Sequence, residues 1–217
     1  MIDLHTHSLF SDGELLPSEL IQRMEALSYE FVGITDHADI SNMDWIIPRV
    51  VRVTEQVNRF RKVKAVPGVE LTHLPPETIP EMSAEARRLG AKLIVIHGET
   101  IVEPVAHGTN RAALVSDVDI LAHPGLITKE EADLAAKNGI LLEISARKGH
   151  SLTNGHVARL ARQTGAGLVL NTDAHGPGDL ITRQFGVKVV MGAGLDESEF
   201  ERMLERSRAL AERALAR

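Results

Sequence analysis

The sequence predicts an α/β fold, a TIM-like barrel in which seven strand–helix units close on themselves. Three observations predict it. Short runs rich in Val, Ile and Leu recur along the chain, helical stretches separate them, and an imidazole or carboxylate follows nearly every run. Runs this apolar suit parallel strands covered on both faces. Strand-end side chains meet at one mouth if the sheet closes, whereas an open sheet leaves its first and last strands apart.

The strands are expected at Met1 to Leu4, Phe31 to Thr35, Val63 to Val69, Leu93 to Ile96, Val118 to Ala122, Ile140 to Ile144 and Gly167 to Leu170. Between them, Pro17 to Ser28 reads as a helix with Pro17 in its first turn and Leu20, Met24 and Leu27 on one face. Asp44 to Phe60 carries the apolar stripe Ile46, Val50, Val53, Val57 and Phe60. Glu81 to Leu89 stops at Gly90, a residue that tolerates the left-handed turn closing a helix. Asn110 to Val115 is short. Thr128 and Glu131 form a capping box for Lys129 to Lys137, with Gly139 beyond. Thr153 to Gln163 ends near Gly165. Asp179 to Val190 fits a helix or an eighth strand, with the helix preferred. Asp196 caps a final helix over 196–215, whose Phe200, Met203, Leu204, Leu210 and Ala214 face the body.

Composition bounds the rest. The 217 residues are 43% hydrophobic, enough for a sizeable core, and no linker or low-complexity segment divides them, so 1–217 reads as one domain. A net charge of −6 argues against a surface built to hold a long nucleic acid. With no cysteine, any metal must sit on nitrogen and oxygen. The chain has neither a membrane-length apolar segment nor a signal-peptide pattern, and a cytoplasmic protein is expected. Its oligomeric state is not encoded in any pattern we find.

The chemistry concentrates at strand ends. His5 and His7 sit two apart and so share a face. Asp12 follows beside Gly13, then His37, Glu70, His97 and His123, and finally Asp173 and His175 repeat the two-residue spacing. Imidazoles and carboxylates of this kind suit Mn²⁺, Fe²⁺ or Zn²⁺, and a carboxylate can bridge two ions. Nine ligands exceed the needs of one ion and fit two or three. Such centres activate water and clamp the oxygens of a transferring group. Asp3 and Asp36 are ambiguous between orienting an imidazole and capping a loop. Arg147 and Lys148 after the sixth strand, and Arg183 beyond the last motif, are candidates for holding a phosphate. Ser145, Asn154 and Asn171 could line the same mouth. His73, His107, His150 and His156 are weaker candidates for roles there.

His5-Thr6-His7, Ser11-Asp12-Gly13, Thr35-Asp36-His37, Gly68-Val69-Glu70, His97, His123-Pro124 and Asp173-Ala174-His175 together resemble the successive motifs of the PHP domain, the polymerase and histidinol phosphatase superfamily. The resemblance runs from Met1 to about His175. It implies a distorted seven-stranded barrel and up to three metals at its mouth. By that resemblance, His5, His7, Glu70 and Asp173 hold the first ion. Asp12, His37 and His175 hold the second. Glu70, His97 and His123 hold the third, with Glu70 bridging. Amidohydrolases also begin with an HxH motif but usually bridge their metals with a carbamylated lysine. Here Lys92 opens its strand rather than ending it.

The activity implied is hydrolysis of a small phosphomonoester by a metal-bridging hydroxide, with Glu70, Asp173 and His175 at the catalytic centre and histidinol phosphate as one substrate. Alternatives are a nucleotide phosphatase or 5′-end exonuclease on short oligonucleotides and, from a different class, an inactive metal-binding partner module. No membrane partner is expected.

Overall fold

A computed structural model describes residues 1–217. Its strands are β1 (Ile2–Asp3), β2 (Phe31–Ile34), β3 (His37–Ala38), β4 (Lys64–Leu71), β5 (Leu93–His97), β6 (Ile120–Ala122), β7 (Leu141–Ser145) and β8 (Leu168–Asn171). All pair in parallel, in the order β1-β2-β4-β5-β6-β7-β8, while β3 also pairs with β4. The short β3 is the continuation of β2: His37 pairs with Glu70 in the same register as Phe31 with Lys64. The intervening Thr35 turns its N–H to the Thr6 carbonyl, 2.9 Å away. The seven-stranded reading therefore holds, with the second strand broken where it reaches the mouth.

The barrel is nearly closed, and its seam between β1 and β8 is not a regular ladder. A single bridge joins Thr6 to Ala174. Side chains supply the remaining hydrogen bonds. Asn171 Oδ1 accepts from Leu4 N at 2.9 Å, and the buried Asp3 carboxylate accepts from Thr172 N, Thr172 Oγ1 and His5 N. Burial pushes the Asp3 carboxyl up to about 7 even with those donors in place. Asp3 thus ties the seam rather than orienting an imidazole ring.

Helices α1 (Pro17–Ala26), α2 (Met43–Asn58), α3 (Ile79–Arg88), α4 (Thr109–Leu114), α5 (Lys129–Asn138) and α6 (Asn154–Thr164) cover the outside of the strands. The predicted capping box starts α5: Thr128 Oγ1 accepts from Glu131 N at 3.2 Å, and Glu131 Oε2 from Thr128 N at 2.8 Å. The ambiguous segment after β8 is a helix, α7 (Arg183–Gly192). It begins four residues later than expected because Leu180 is extended and Thr182 caps the first turn.

The final helix, α8 (Glu197–Ala216), packs against β8, β1 and β2, across the outside of the seam. Phe200, Met203, Leu204, Leu210 and Ala214 are all buried, as their spacing predicts. Each large apolar side chain buried there contributes about 1.5–3 kcal/mol relative to exposure. Asp196 caps this helix through Glu199 N at 3.0 Å. No helix is long and apolar enough to cross a membrane.

Candidate metal centre

The strands deliver their C-terminal ends to a cavity of about 370 Å³ lined by no hydrophobic residue. Asp173 lines it, and His5, His7, Glu70 and His123 cluster behind Asp173 as a buried floor, with side chains at most 3% exposed. Asp12, His37 and His175 stand nearer solvent. His123 and Asp173 have positive φ, 26° and 52°. A non-glycine residue in that region costs of order 1–3 kcal/mol and persists only when its surroundings demand it. Here the kink falls one residue beyond β6 and two beyond β8, at positions whose side chains turn toward the mouth. Gly13 serves the first loop by close approach: a Cβ there would lie 2.6 Å from the His7 carbonyl oxygen.

Glu70 stands at the centre. Its Oε1 lies 3.3 Å from His5 Nε2 and 3.5 Å from His123 Nε2, while Oε2 lies 3.6 Å from His7 Nε2 and 2.6 Å from His37 Nδ1. Asp173 Oδ1 is 3.0 Å from His7 Nε2, and its Oδ2 is 3.8 Å from His123 Nε2. Asp12 Oδ1 lies 3.6 Å from His37 Nε2 and 3.2 Å from His175 Nε2.

Five overlapping groups can each present ligand atoms within 4.8 Å of one another: His7, Asp12, His37 and His175; His5, His123 and Asp173; His5, His7 and Glu70; Glu70, His97 and His123; and His73, His97 and Glu103. The first and fourth of these contain the expected second-ion and third-ion sets whole, while the second and third each contain only part of the expected first-ion set. The difference from the resemblance lies at the first position. There His123 stands with Asp173, and His7 also reaches the Asp12 group.

The donor set fits divalent ions. His5 Nε2, both nitrogens of His7, both oxygens of Glu70, His97 Nδ1, His123 Nδ1 and Asp173 Oδ1 are buried without hydrogen-bond partners. Leaving so many buried polar atoms unpaired is costly, and coordination would satisfy those that face the mouth. Burial opposes ionisation of Glu70, but the imidazoles of His5 and His37 outweigh it and hold its carboxyl well below the usual range. Burial likewise opposes charging of His5, but Glu143, Glu70 and Asp173 outweigh it and raise this imidazole well above its ordinary value. His7 goes the other way, lowered to about 3 by burial and by the neighbouring His37.

The surrounding residues divide sharply. Arg147 lines the cavity, with Nη1 2.9 Å from the Asp173 carbonyl oxygen and 2.7 Å from His175 Nδ1. Lys148 is exposed and does not line it. Arg183 lies away from the mouth, paired with Glu201 and set over the Phe200 ring 5.0 Å from its centroid, so the phosphate-holding role expected of it has no geometric basis. Asp36 does not orient a ring. Its carboxylate accepts from Ser8 N, Ser8 Oγ, Ser11 N and Ser11 Oγ at 2.7–3.1 Å and so fixes the loop that carries Asp12. His156 bonds the Ile127 carbonyl instead of entering the cavity. Asn154 and Asn171 are structural, bonding Ser145 and Leu4.

Sequence reasoning missed Glu143 and Glu103 and undervalued His150. Glu143 Oε2 is 2.8 Å from His5 Nδ1 and accepts from Asn171 Nδ2 at 3.0 Å. A lone carboxylate inside the apolar run Leu141-Leu142-Glu143-Ile144 was its visible signal. His150 is buried and stacks on His123, with ring centroids 4.1 Å apart. Glu103 Oε2 lies 2.9 Å from His97 Nε2. It sits in a loop with no periodicity to mark it.

A family model of the PHP domain matches residues 3–100. An uncharacterized protein of Methanocaldococcus jannaschii is 48% identical over 204 residues, spanning 93% of this chain and 94% of that protein. Among solved structures, a chain of an archaeal ribonuclease P with mature tRNA superposes with a TM-score of 0.73 at 18% identity. That match covers 99% of this chain and 91% of the other. The histidinol phosphate phosphatase of Lactococcus lactis, complexed with zinc, L-histidinol and phosphate, superposes with a TM-score of 0.58 at 16% identity. It covers 98% of this chain and 93% of the other. At these identities the structural matches establish the shared fold.

Proposed function

This chain belongs to one family with the Methanocaldococcus jannaschii protein and carries the PHP-domain fold, and from that premise we propose that it is a metal-dependent phosphoesterase acting on a small phosphomonoester. The observation that carries the reading is the cluster of unpaired buried imidazoles and carboxylates behind a cavity lined by His97, Asp173 and an arginine.

Two or three divalent ions, of Mn, Fe or Zn character, suit the nitrogen and oxygen donors. His5, His7, Glu70 and Asp173 are assigned to the first, Asp12, His37 and His175 to the second, and Glu70, His97 and His123 to the third. Such ions supply a nucleophile at neutral pH and positive charge for the phosphoryl oxygens.

The chain's own residues do the rest. Glu70 faces four imidazoles from the centre of the mouth and is suited to hold neighbouring ions at fixed separation. Glu143 accepts from His5 Nδ1–H, which fixes the ring with Nε2 directed inward. Thr72 Oγ1, 2.7 Å from His37 Nδ1, serves the second ring in the same way.

Arg147 is assigned to the phosphate, and its contact with His175 has a proton consequence. Arg147 can donate to His175 Nδ1 only when that nitrogen is bare. If His175 held an ion through Nε2, its proton would sit on Nδ1, which lies 2.9 Å from the Asp173 carbonyl oxygen. Arg147 would then lose its acceptor on the ring and could turn that N–H to a phosphoryl group in the cavity. The fork geometry suits a terminal phosphate, and the 370 Å³ cavity suits a small one.

The test is a phosphoester panel run on the metal-stripped chain reloaded separately with Mn²⁺, Fe²⁺ and Zn²⁺. It should include histidinol phosphate, nucleoside monophosphates, a 3′,5′-bisphosphonucleoside and short 5′-phosphorylated oligonucleotides. Metal-dependent phosphate release from at least one monoester is expected. No turnover on any member, with ions bound, contradicts the enzyme reading and favours an inactive metal-binding module.

A further inference from the structure

The segment between β5 and α4 crosses one side of the mouth and is anchored at both ends. Glu99 N donates to Asn110 Oδ1 at 2.9 Å, and Glu99 Oε1 accepts from Gly108 N and Asn110 N at 3.0 and 2.9 Å. Thr100 Oγ1 is 2.7 Å from His150 Nδ1. Gly125 admits the segment closely, since a Cβ there would lie 1.9 Å from the Glu99 carbonyl oxygen. Ile101 and Val102 point to solvent, at 51% and 46% exposure, but Glu103 lines the cavity. Its Oε2 lies 2.9 Å from His97 Nε2 and its Oε1 3.6 Å from His150 Nε2.

We propose that Glu103 is a tenth metal ligand, carried by this loop to the third ion; the inference rests on the three-ion reading above. Two independent features point to it. First, His97 belongs to two ligand groups at once: Glu70, His97 and His123 form one, and His73, His97 and Glu103 the other. Glu103 therefore meets the third position through the very imidazole assigned to it. Second, the third position has the poorest anionic complement. Its imidazoles are neutral when coordinating, and its one carboxylate, Glu70, is shared with His5 and His7. Both Glu70 oxygens are buried and unpartnered. A dication there gains an unshared negative ligand from Glu103 and from no strand residue. The loop is then part of the centre, and it is ordered by the ion as well as by its anchors.

Equilibrium dialysis of the purified chain against graded Mn²⁺, with bound ions counted per chain, tests this. The wild type is expected to bind three ions. Glu103→Gln should weaken only the last step, by at least about the 10–100-fold that losing even an outer-shell partner costs. His123→Ala should weaken the same step, as the three-ion reading requires. An unchanged third step in Glu103→Gln, beside a weakened one in His123→Ala, overturns the ligand role alone and leaves Glu103 a hydrogen-bond partner of His97. A tighter third step in Glu103→Gln overturns it too, showing that the carboxylate competes with the ion. Fewer than three ions on the wild type overturns the three-ion assignment and this inference with it, while leaving a two-ion phosphoesterase standing.

Discussion

The floor and the rim of the mouth are built differently. On the floor, His5, His7, Glu70, His123, Asp173 and Glu143 project from strands or the residues just after them, with side chains 0–3% exposed. On the rim, Asp12, Glu103 and Arg147 come from loops and are 58%, 39% and 30% exposed. Floor side chains are held by the barrel and pay for their burial unless something coordinates them. Rim side chains retain solvent and can change partners. Such a division suits a centre whose innermost ligands are pre-organised while its outer ones exchange with substrate.

The comparison breaks first at Glu70. Replacing it with Gln should reduce metal-dependent turnover by more than the roughly 10²–10³ lost with a single charge-stabilising group, because it faces every floor imidazole. Activity within tenfold of wild type, measured at saturating metal, would place the chemistry elsewhere. Glu143→Gln probes the support beneath the floor. It should lower affinity for the first ion or activity by about 10–100-fold, and an unaltered metal isotherm with unaltered turnover would reduce Glu143 to a packing residue.

On the rim, Arg147→Ala should raise KM for a phosphomonoester more than it lowers kcat. Losing charged hydrogen bonds of about 1.5–3 kcal/mol corresponds to roughly a 10–100-fold fall in kcat/KM. Arg147→Lys should recover part of that, and equal KM values for wild type and Arg147→Ala would remove the phosphate from its assigned partner. Arg183→Ala is the smallest change. It breaks an exposed pair with Glu201 and should leave turnover unaltered and stability within about 0.5 kcal/mol.

Protons separate the two metal states. Burial opposes the charge on His5, His37 and His97, but the carboxylates around them outweigh it and raise all three above their ordinary value. A raised imidazole stabilises the fold below its unfolded pKa of about 6.5, and that stabilisation is lost as pH rises through the folded value. Asp3, raised to about 7 by burial, acts in the same direction up to neutrality. The metal-free chain should therefore lose melting temperature as pH rises above about 6.5. Metal affinity should rise over the same interval, because these rings must release protons to coordinate. Melting curves with and without Mn²⁺ across that range check both signs, and parallel trends in the two states would refute the assignment.

Much of the floor was legible in the sequence because strand periodicity and burial leave a pattern. His5 and His7 fall two apart after an apolar run, and Glu70, His97 and His123 each end one. The final helix was legible from Phe200 to Ala214 for the same reason, its apolar spacing matching a helical face. The broken second strand was not, since nothing local announces that Thr35 turns to Thr6 while His37 resumes the ladder. Glu103 and Arg183 show the limit more plainly. Both are charged residues in stretches without decisive periodicity, and only the three-dimensional path of the chain brings one into the mouth and carries the other away from it.

The most direct test of the central claim is anomalous diffraction from crystals of the chain grown with Mn²⁺. The account predicts three peaks at the barrel mouth. One lies among His5, His7, Glu70 and Asp173, one among Asp12, His37 and His175, and one beside Glu70, His97 and His123. A mouth without peaks at saturating Mn²⁺, or a single peak with Glu70 outside its coordination sphere, would contradict it.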